Sequence, residues 1–362
     1  MNSKKKIIAV ASQLAIPLVA LLVLLLFNLI FNTRFFSVDL ITNKFGNPVF
    51  SGLLINAIND ASHLAIIAMG MTLVTASCGG QDISVGAVGT ISCAVFAQTL
   101  LVWTGEINGW TFALAIILCC LTAVLFELFN GTLVAVFKIQ PMIATLILYS
   151  CGRNIAHRIN GTAQLQLSGS IMDVLKTTIP GIPIPTSVFW VVLMGILMYL
   201  MFKFTNIRLY TQSVGINQSA ARLNGINHTV VKLLSFAVLG ICVGIASIVD
   251  VARIGTLAHD TILVDVEMDA ILAVAIGGNN LGGGKFRMSG SILGAYVIAI
   301  LNTTLTSMIK SNPEMVKALK AGAIILIVIA GSPVIREWLT VQGSRIRTWI
   351  HSRTQKTEKV VG

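Results

Sequence analysis

Residues 79–86 read GGQDISVG: Gly79-Gly80-Gln81-Asp82-Ile83-Ser84-Val85-Gly86. The apolar run LAIIAMGMTLVTAS precedes them and AVGTISCAVFAQTLLVW follows. The two flanks are expected as membrane-crossing helices and the stretch between them as a helix break. An isolated charge at the centre of a bilayer helix costs about 2.5–3.5 kcal/mol on insertion scales, so it belongs at a helix end or in a polar cavity. Gly79 and Gly80 let the chain leave helical geometry. Asp82 or Ser84 can cap the next helix by accepting its first free N–H groups. Gly86 lets a neighbouring helix come close. Asp82 is therefore expected as an N-terminal cap, with a direct part in solute passage as the second reading.

The whole chain has the same character. Of its 362 residues, 55% are hydrophobic and 11% charged. A soluble domain carries about a quarter charged residues. The apolar blocks are long enough to cross a bilayer, at about 20 residues per helix. The fold class expected is an all-α polytopic membrane protein; a barrel would show short alternating segments instead. The first apolar segment follows Lys4-Lys5-Lys6. It is too long for the core of a cleaved signal, and no small-x-small site follows. It is expected as a retained span with the N-terminus in the cytoplasm.

About ten spans are expected, near 7–31, 54–77, 86–103, 110–128, 141–158, 187–204, 229–251, 266–278, 289–308 and 315–331. Starting inside, ten crossings bring the basic tail 332–362 back to the cytoplasm. This placement puts 16 of the 25 lysines and arginines inside and nine outside, the bias that the positive-inside rule requires. Topology thus explains the net charge of +11 without nucleic acid as a partner. The stretch 159–186 is expected as an external loop with a short helix near Met172–Lys176, and 205–228 as a polar cytoplasmic loop. Cys78, Cys93, Cys119, Cys120, Cys151 and Cys242 form no CxxC or Cys/His metal spacing and are expected as small packing residues.

A second break occurs at GGNNLGGGKF, where Gly277, Gly278, Asn279 and Asn280 repeat the glycine-then-polar order. A third pause is expected at Phe129-Asn130-Gly131, before KIQP, where Pro141 can start a helix. Helices interrupted by glycine put backbone polar groups along a solvated path. Gly79, Gly80, Gln81, Asp82, Ser84, Gly86 and Asn130 join the four residues of the second break as candidates for that path. Gly284-Lys285 does not complete a P-loop: Asn279 stands where the first glycine is needed, and Phe286 follows the lysine. The five histidines are scattered and form no HExxH. Asp265, Glu267 and Asp269 are expected as a solvated helix start complementing the dipole. No catalytic, metal or cofactor site is expected in this chain.

In VGINQSAARLNGINH, residues 214–228, Asn217 can cap a short helix and Gly225 can end it. Ala220 and Ala221 give that helix a face with little side chain, suited to docking into a groove. Four motifs now stand in order: GMTLVTASCGGQDISVGAVGTIS, KIQPMIATLILYSCGR, VGINQSAARLNGIN and DAILAVAIGGNNLGGGKFRMSGSILGAYVIAILN. Together they resemble the ribose/galactose-type sugar permeases of bacterial ABC importers over nearly the whole chain. KIQPxxATLIL and DAILAV look most similar to the galactofuranose-transporter branch. The resemblance implies a ten-helix permease of the bacterial inner membrane, working as a dimer of identical or paired copies. It further implies an external sugar-binding protein and a separate cytoplasmic ATPase that holds ATP and Mg. By the same resemblance, Asn217, Ala220, Ala221, Gly225 and Ile226 fall on the coupling helix that receives ATPase motion. Gln81 departs from the family's GGIDLSVG, which leaves the solute open; nucleosides and autoinducers are the alternatives within the class. An ion-coupled transporter would use buried acids such as Asp60, Glu127 or Asp82 but has no use for the coupling pattern. A membrane receptor has no use for the helix breaks.

Overall fold

The computed structural model describes residues 3–42, 48–103, 108–161, 165–166, 185–309 and 312–331. Helices occupy each of the ten stretches: α1 (Ser3–Phe31), α2 (Leu53–Cys78), α3 (Val85–Gln98), α4 (Gly109–Ala135), α5 (Pro141–Asn160) and α6 (Thr186–Phe204) in the first half. The loop 205–228 holds two short helices rather than one, α7 (Ile207–Ile216) and α8 (Gln218–Leu223). Then come α9 (His228–Ile254), α10 (Val266–Ile276), α11 (Met288–Met308) and α12 (Pro313–Gly331). Among the described residues, seven helices are long and apolar enough to cross a membrane: α1, α2, α3 with its continuation to Val102, α4, α6, α9 and α11. Two antiparallel pairs of short strands accompany them, Asp39–Thr42 with Pro48–Ser51 and Leu165–Gln166 with Thr256–Leu257. Most of the 159–186 loop, including Met172–Lys176, and all of the tail 332–362 lie outside the described residues.

The centre of the bundle is α2, buried almost throughout from Leu64 to Ser77. Lipid tails are as apolar as leucine, so helices in a membrane associate through close backbone approach and polar side chains. Both devices are present. On α9, Gly240 and Gly244 stand one turn apart against α4; a Cβ would lie 2.6 Å from Val124 Cα at the first and 2.8 Å from Cys120 Cα at the second. Asn28 Nδ2 of α1 donates to Thr304 Oγ1 (2.8 Å), and Asn32 Nδ2, just past the end of α1, to Ser307 Oγ (2.8 Å), both on α11.

The pause expected at Phe129-Asn130-Gly131 does not exist: α4 runs through it to Ala135. Gly131 serves packing instead, since a Cβ there would sit 3.0 Å from Phe236 Cβ. The turn comes later, at residues 136–140, and Pro141 opens α5 as expected.

Candidate translocation and coupling sites

The two glycine breaks, some 200 residues apart in sequence, meet in space. Gly79 ends α2 with φ +63° and donates its N–H to Thr75 O (3.1 Å). Its own side of the turn is occupied: a Cβ would lie 2.8 Å from Gly282 O. Gln81 Nε2 donates to Leu281 O (2.9 Å), and Gly284 N to Ala76 O (2.9 Å). Gly215, near the end of α7, packs into the same junction; a Cβ on it would overlap Ala76 O. Gly80 abuts Pro141, where α5 begins. The end of α2, the starts of α3, α5 and α11, and the 205–228 loop are therefore gathered at one end of the bundle.

Asp82 is not the side-chain cap of α3. Ser84 holds the capping position and makes no side-chain cap bond. Asp82 instead turns back on Ser84, its Oδ1 accepting from Ser84 N (2.6 Å) and Ser84 Oγ (2.7 Å). From α4, Asn130 Nδ2 donates to Ser84 Oγ (2.8 Å) and reaches Asp82 Oδ2 at 3.4 Å. Glu127 brings a second carboxyl against Asp82 from the turn before. All four side chains are fully buried. Asn130 thus joins the break without being part of one. Gly86 takes α3 past α10, where a Cβ would strike the Glu267 carboxyl.

In the second break Asn279 braces the backbone. Its Oδ1 accepts from Arg287 N (2.6 Å), and its Nδ2 lies within reach of Val274 O, Arg287 O and Ser291 Oγ. Asn280 Oδ1 accepts from Gly282 N (3.1 Å). Gly277 and Gly278 serve geometry: Gly277 lies against Gly290 of α11, and Gly278 has φ +80°. The need for bracing follows from length. With 11 residues, α10 rises about 16 Å, while a bilayer core is about 30 Å thick. Irregular backbone flanks so short a helix inside the bundle, and its polar groups need partners within the protein.

Arg153 of α5 does the same on the other flank of α10. Its guanidinium donates to His259 O (2.7 Å), Ile262 O (3.1 Å) and Leu263 O (3.2 Å), with Thr90 Oγ1 at 3.3 Å. Nearby, Arg253 joins Asp60 of α2 to Asp250 of its own helix. Asp250 Oδ2 in turn accepts from Leu263 N (3.2 Å). The acids at the start of α10 are paired rather than merely solvated: Asp265 with Lys317 (2.8 Å) and Asp269 with Lys320 (2.7 Å), both on α12, while Glu267 is buried. Local sequence gave no sign of the Arg153 contacts or of the Asp60–Arg253 pair, because those partners lie 63 to 193 positions away.

In the 205–228 loop, Asn217 Oδ1 caps α8 through Ala220 N (3.0 Å), and Gly225 ends it at φ +77°. The face differs from expectation. Ala220 is exposed, but Ala221 is buried against Val214, Val231 and Ile226. Ile216 and Leu223, 74% and 89% exposed, are what α8 and its approach offer outward.

The family model for the permease component of branched-chain amino acid transport systems matches residues 53–329. The chain belongs to that family. The permease is 35% identical over 322 residues to the galactofuranose transporter permease protein of Escherichia coli (strain K12), covering 87% of this chain and 88% of the relative. It is 32% identical to the fructose import permease protein of Bifidobacterium longum (strain NCC 2705), over 92% of this chain and 91% of the other. To the ribose import permease protein of Haemophilus influenzae (strain ATCC 51907 / DSM 11121 / KW20 / Rd) it is 33% identical, over 86% and 91%. No solved structure matches it. The permease is a multi-pass protein of the bacterial inner membrane.

Proposed function

We propose that this permease is the membrane-spanning subunit of an ABC importer for a monosaccharide, driven by a separate cytoplasmic ATPase and supplied by an external binding protein. The observation that carries this reading is its similarity, over 86–92% of its length, to permeases named for galactofuranose, fructose and ribose. Two permease copies form the path, and both termini face the cytoplasm. The short helix α8 is the coupling element, held in shape by Asn217 and Gly225. Its docking face is Ala220 and Leu223 together with Ile216 at the end of α7, exposed apolar surface of the kind that seats in a partner's groove. Ala221 and Ile226 act from beneath, tying α8 to α7 and α9. The packing of Gly284 on Ile216 gives ATPase motion at α8 a rigid route into the glycine breaks.

The test is reconstitution in liposomes with the ATPase and binding protein, offering D-galactose, D-ribose and D-fructose, and a nucleoside and an autoinducer as competing solutes. Accumulation of a sugar that requires ATP supports the reading. Accumulation driven by an ion gradient with no ATPase present refutes it, and ATP-driven uptake of only the nucleoside or autoinducer moves the permease to another solute class.

A further inference from the structure

At the opposite end of the bundle from the glycine breaks, a cavity of about 180 Å³ lies between α2, α9, α10 and α11. Asp60 and His63 line it from α2, Asp250 and Arg253 from α9, Asp269 from α10 and Asn302 from α11. The segment held by Arg153 closes one side through Thr261 and Leu263, and Ala299 lines the α11 wall. At about 30 Å³ per water molecule, the space equals roughly six waters, and a polar space of this size is wet. A solute enters such a space by replacing the hydrogen bonds of those waters with its own. Six waters is also the room taken by one sugar ring with its hydroxyls.

The charges limit what that solute can be. Arg253 donates from one terminal nitrogen to Asp60 and from the other to Asp250, and its Nε, though without a partner, is buried out of reach of a ligand. Lys320, the cation beside Asp269, is paired with it at 2.7 Å. What remains for a ligand is carboxylate oxygen, imidazole, hydroxyl and carboxamide. An anion would face carboxylates with the nearby cations already engaged, and burying an unpaired charge is costly. Hydroxyl groups, which both donate and accept, suit such a wall.

We infer that this cavity binds an uncharged, polyhydroxylated solute of monosaccharide size within a single permease chain. It is a way-station distinct from the breaks at the other end. The inference rests on the sugar-importer reading.

Two variants test it in the purified permease, free of its partners. Ala299→Leu fills the cavity without touching a charge. Asn302→Leu removes one polar group at an exposed position, which keeps the test open if the filled variant folds poorly. Thermal unfolding is followed in detergent with increasing D-galactose, D-ribose or D-fructose, and with L-glutamate as the anionic control. At least one sugar should raise the melting temperature saturably while glutamate does not. Ala299→Leu should abolish that shift, and Asn302→Leu should raise the half-saturating concentration about tenfold, the loss of one good hydrogen bond. A shift unchanged in both variants overturns the inference, as does a parent that responds to no sugar or responds to glutamate. Uptake by the complete importer, measured alongside, separates the two ideas: sugar import without a sugar-dependent shift removes this site and leaves the importer reading intact.

Discussion

Where residues 79–84 meet 277–287, polar side chains brace backbone: Gln81 on Leu281, Asp82 on Ser84, Asn279 on Arg287. At the other end Asp60, Asp250 and Arg253 stand around open space. Both ends interrupt helices inside a membrane protein, and both must satisfy what lipid cannot. One end does so with glycines pressed together, amides and the buried carboxyls of Asp82 and Glu127; the other pairs its carboxylates with Arg253 and leaves open space. The polar residues of a glycine-rich break can be engaged with its own backbone, while open polar space lies at the other end.

The largest effect is expected at the tight end. Gly215→Leu drives a side chain into the Ala76 carbonyl and the Gly284 amide, where neither backbone can yield alone. It should cost about 3 kcal/mol or more, seen as loss of monodisperse permease on size-exclusion in detergent. A well-folded Gly215→Leu permease would show the junction to be loose.

Arg153→Leu strips three carbonyls of their donor at the roomy end. Hydrogen bonds to a charged group contribute about 1.5–3 kcal/mol each and are not additive, so a total loss of roughly 3 kcal/mol is expected. Arg153→Lys keeps the charge but not the fork of donors and should recover only part of it. Equal stability of both variants with the parent would mean that the 258–263 segment is held by other contacts.

Substitutions at Asp82 separate charge from hydrogen bonding. Asp82→Asn keeps an acceptor for Ser84 N–H and should retain most of the stability. Asp82→Leu removes the acceptor and should cost roughly 0.5–2 kcal/mol, by analogy with a lost cap. Abolished uptake in Asp82→Asn at unchanged melting temperature would give the carboxylate a transport role and undo the contrast drawn above. The smallest effect is expected for Lys317→Ala. Its partner Asp265 is half-exposed and the lysine more so, and such pairs are worth about 0–1 kcal/mol. The change should be measurable only at low salt.

Helix positions were legible because long apolar runs and glycine pairs mark their own ends; Pro141 and Asn217 start helices where their chemistry says they should. Asn130-Gly131 misled because a local break signal was overridden by packing: the missing Cβ makes room for Phe236. The inward turn of Ala221 was hidden because a six-residue helix is too short for periodicity to define a face. The network around Arg253 was invisible for a different reason. Arg253 and Asp60 are 193 positions apart, and only the folded chain brings them to one place.

The meeting of the two breaks also sets an order of assembly. Chains are made and inserted from the N-terminus. When α2 and α3 are already in the membrane, the partners of the Ala76 carbonyl and the Gln81 amide, Gly284 and Leu281, have yet to be synthesised. The first joint of the bundle is completed only by its last third. A nascent permease halted before residue 277 therefore carries an unsealed joint.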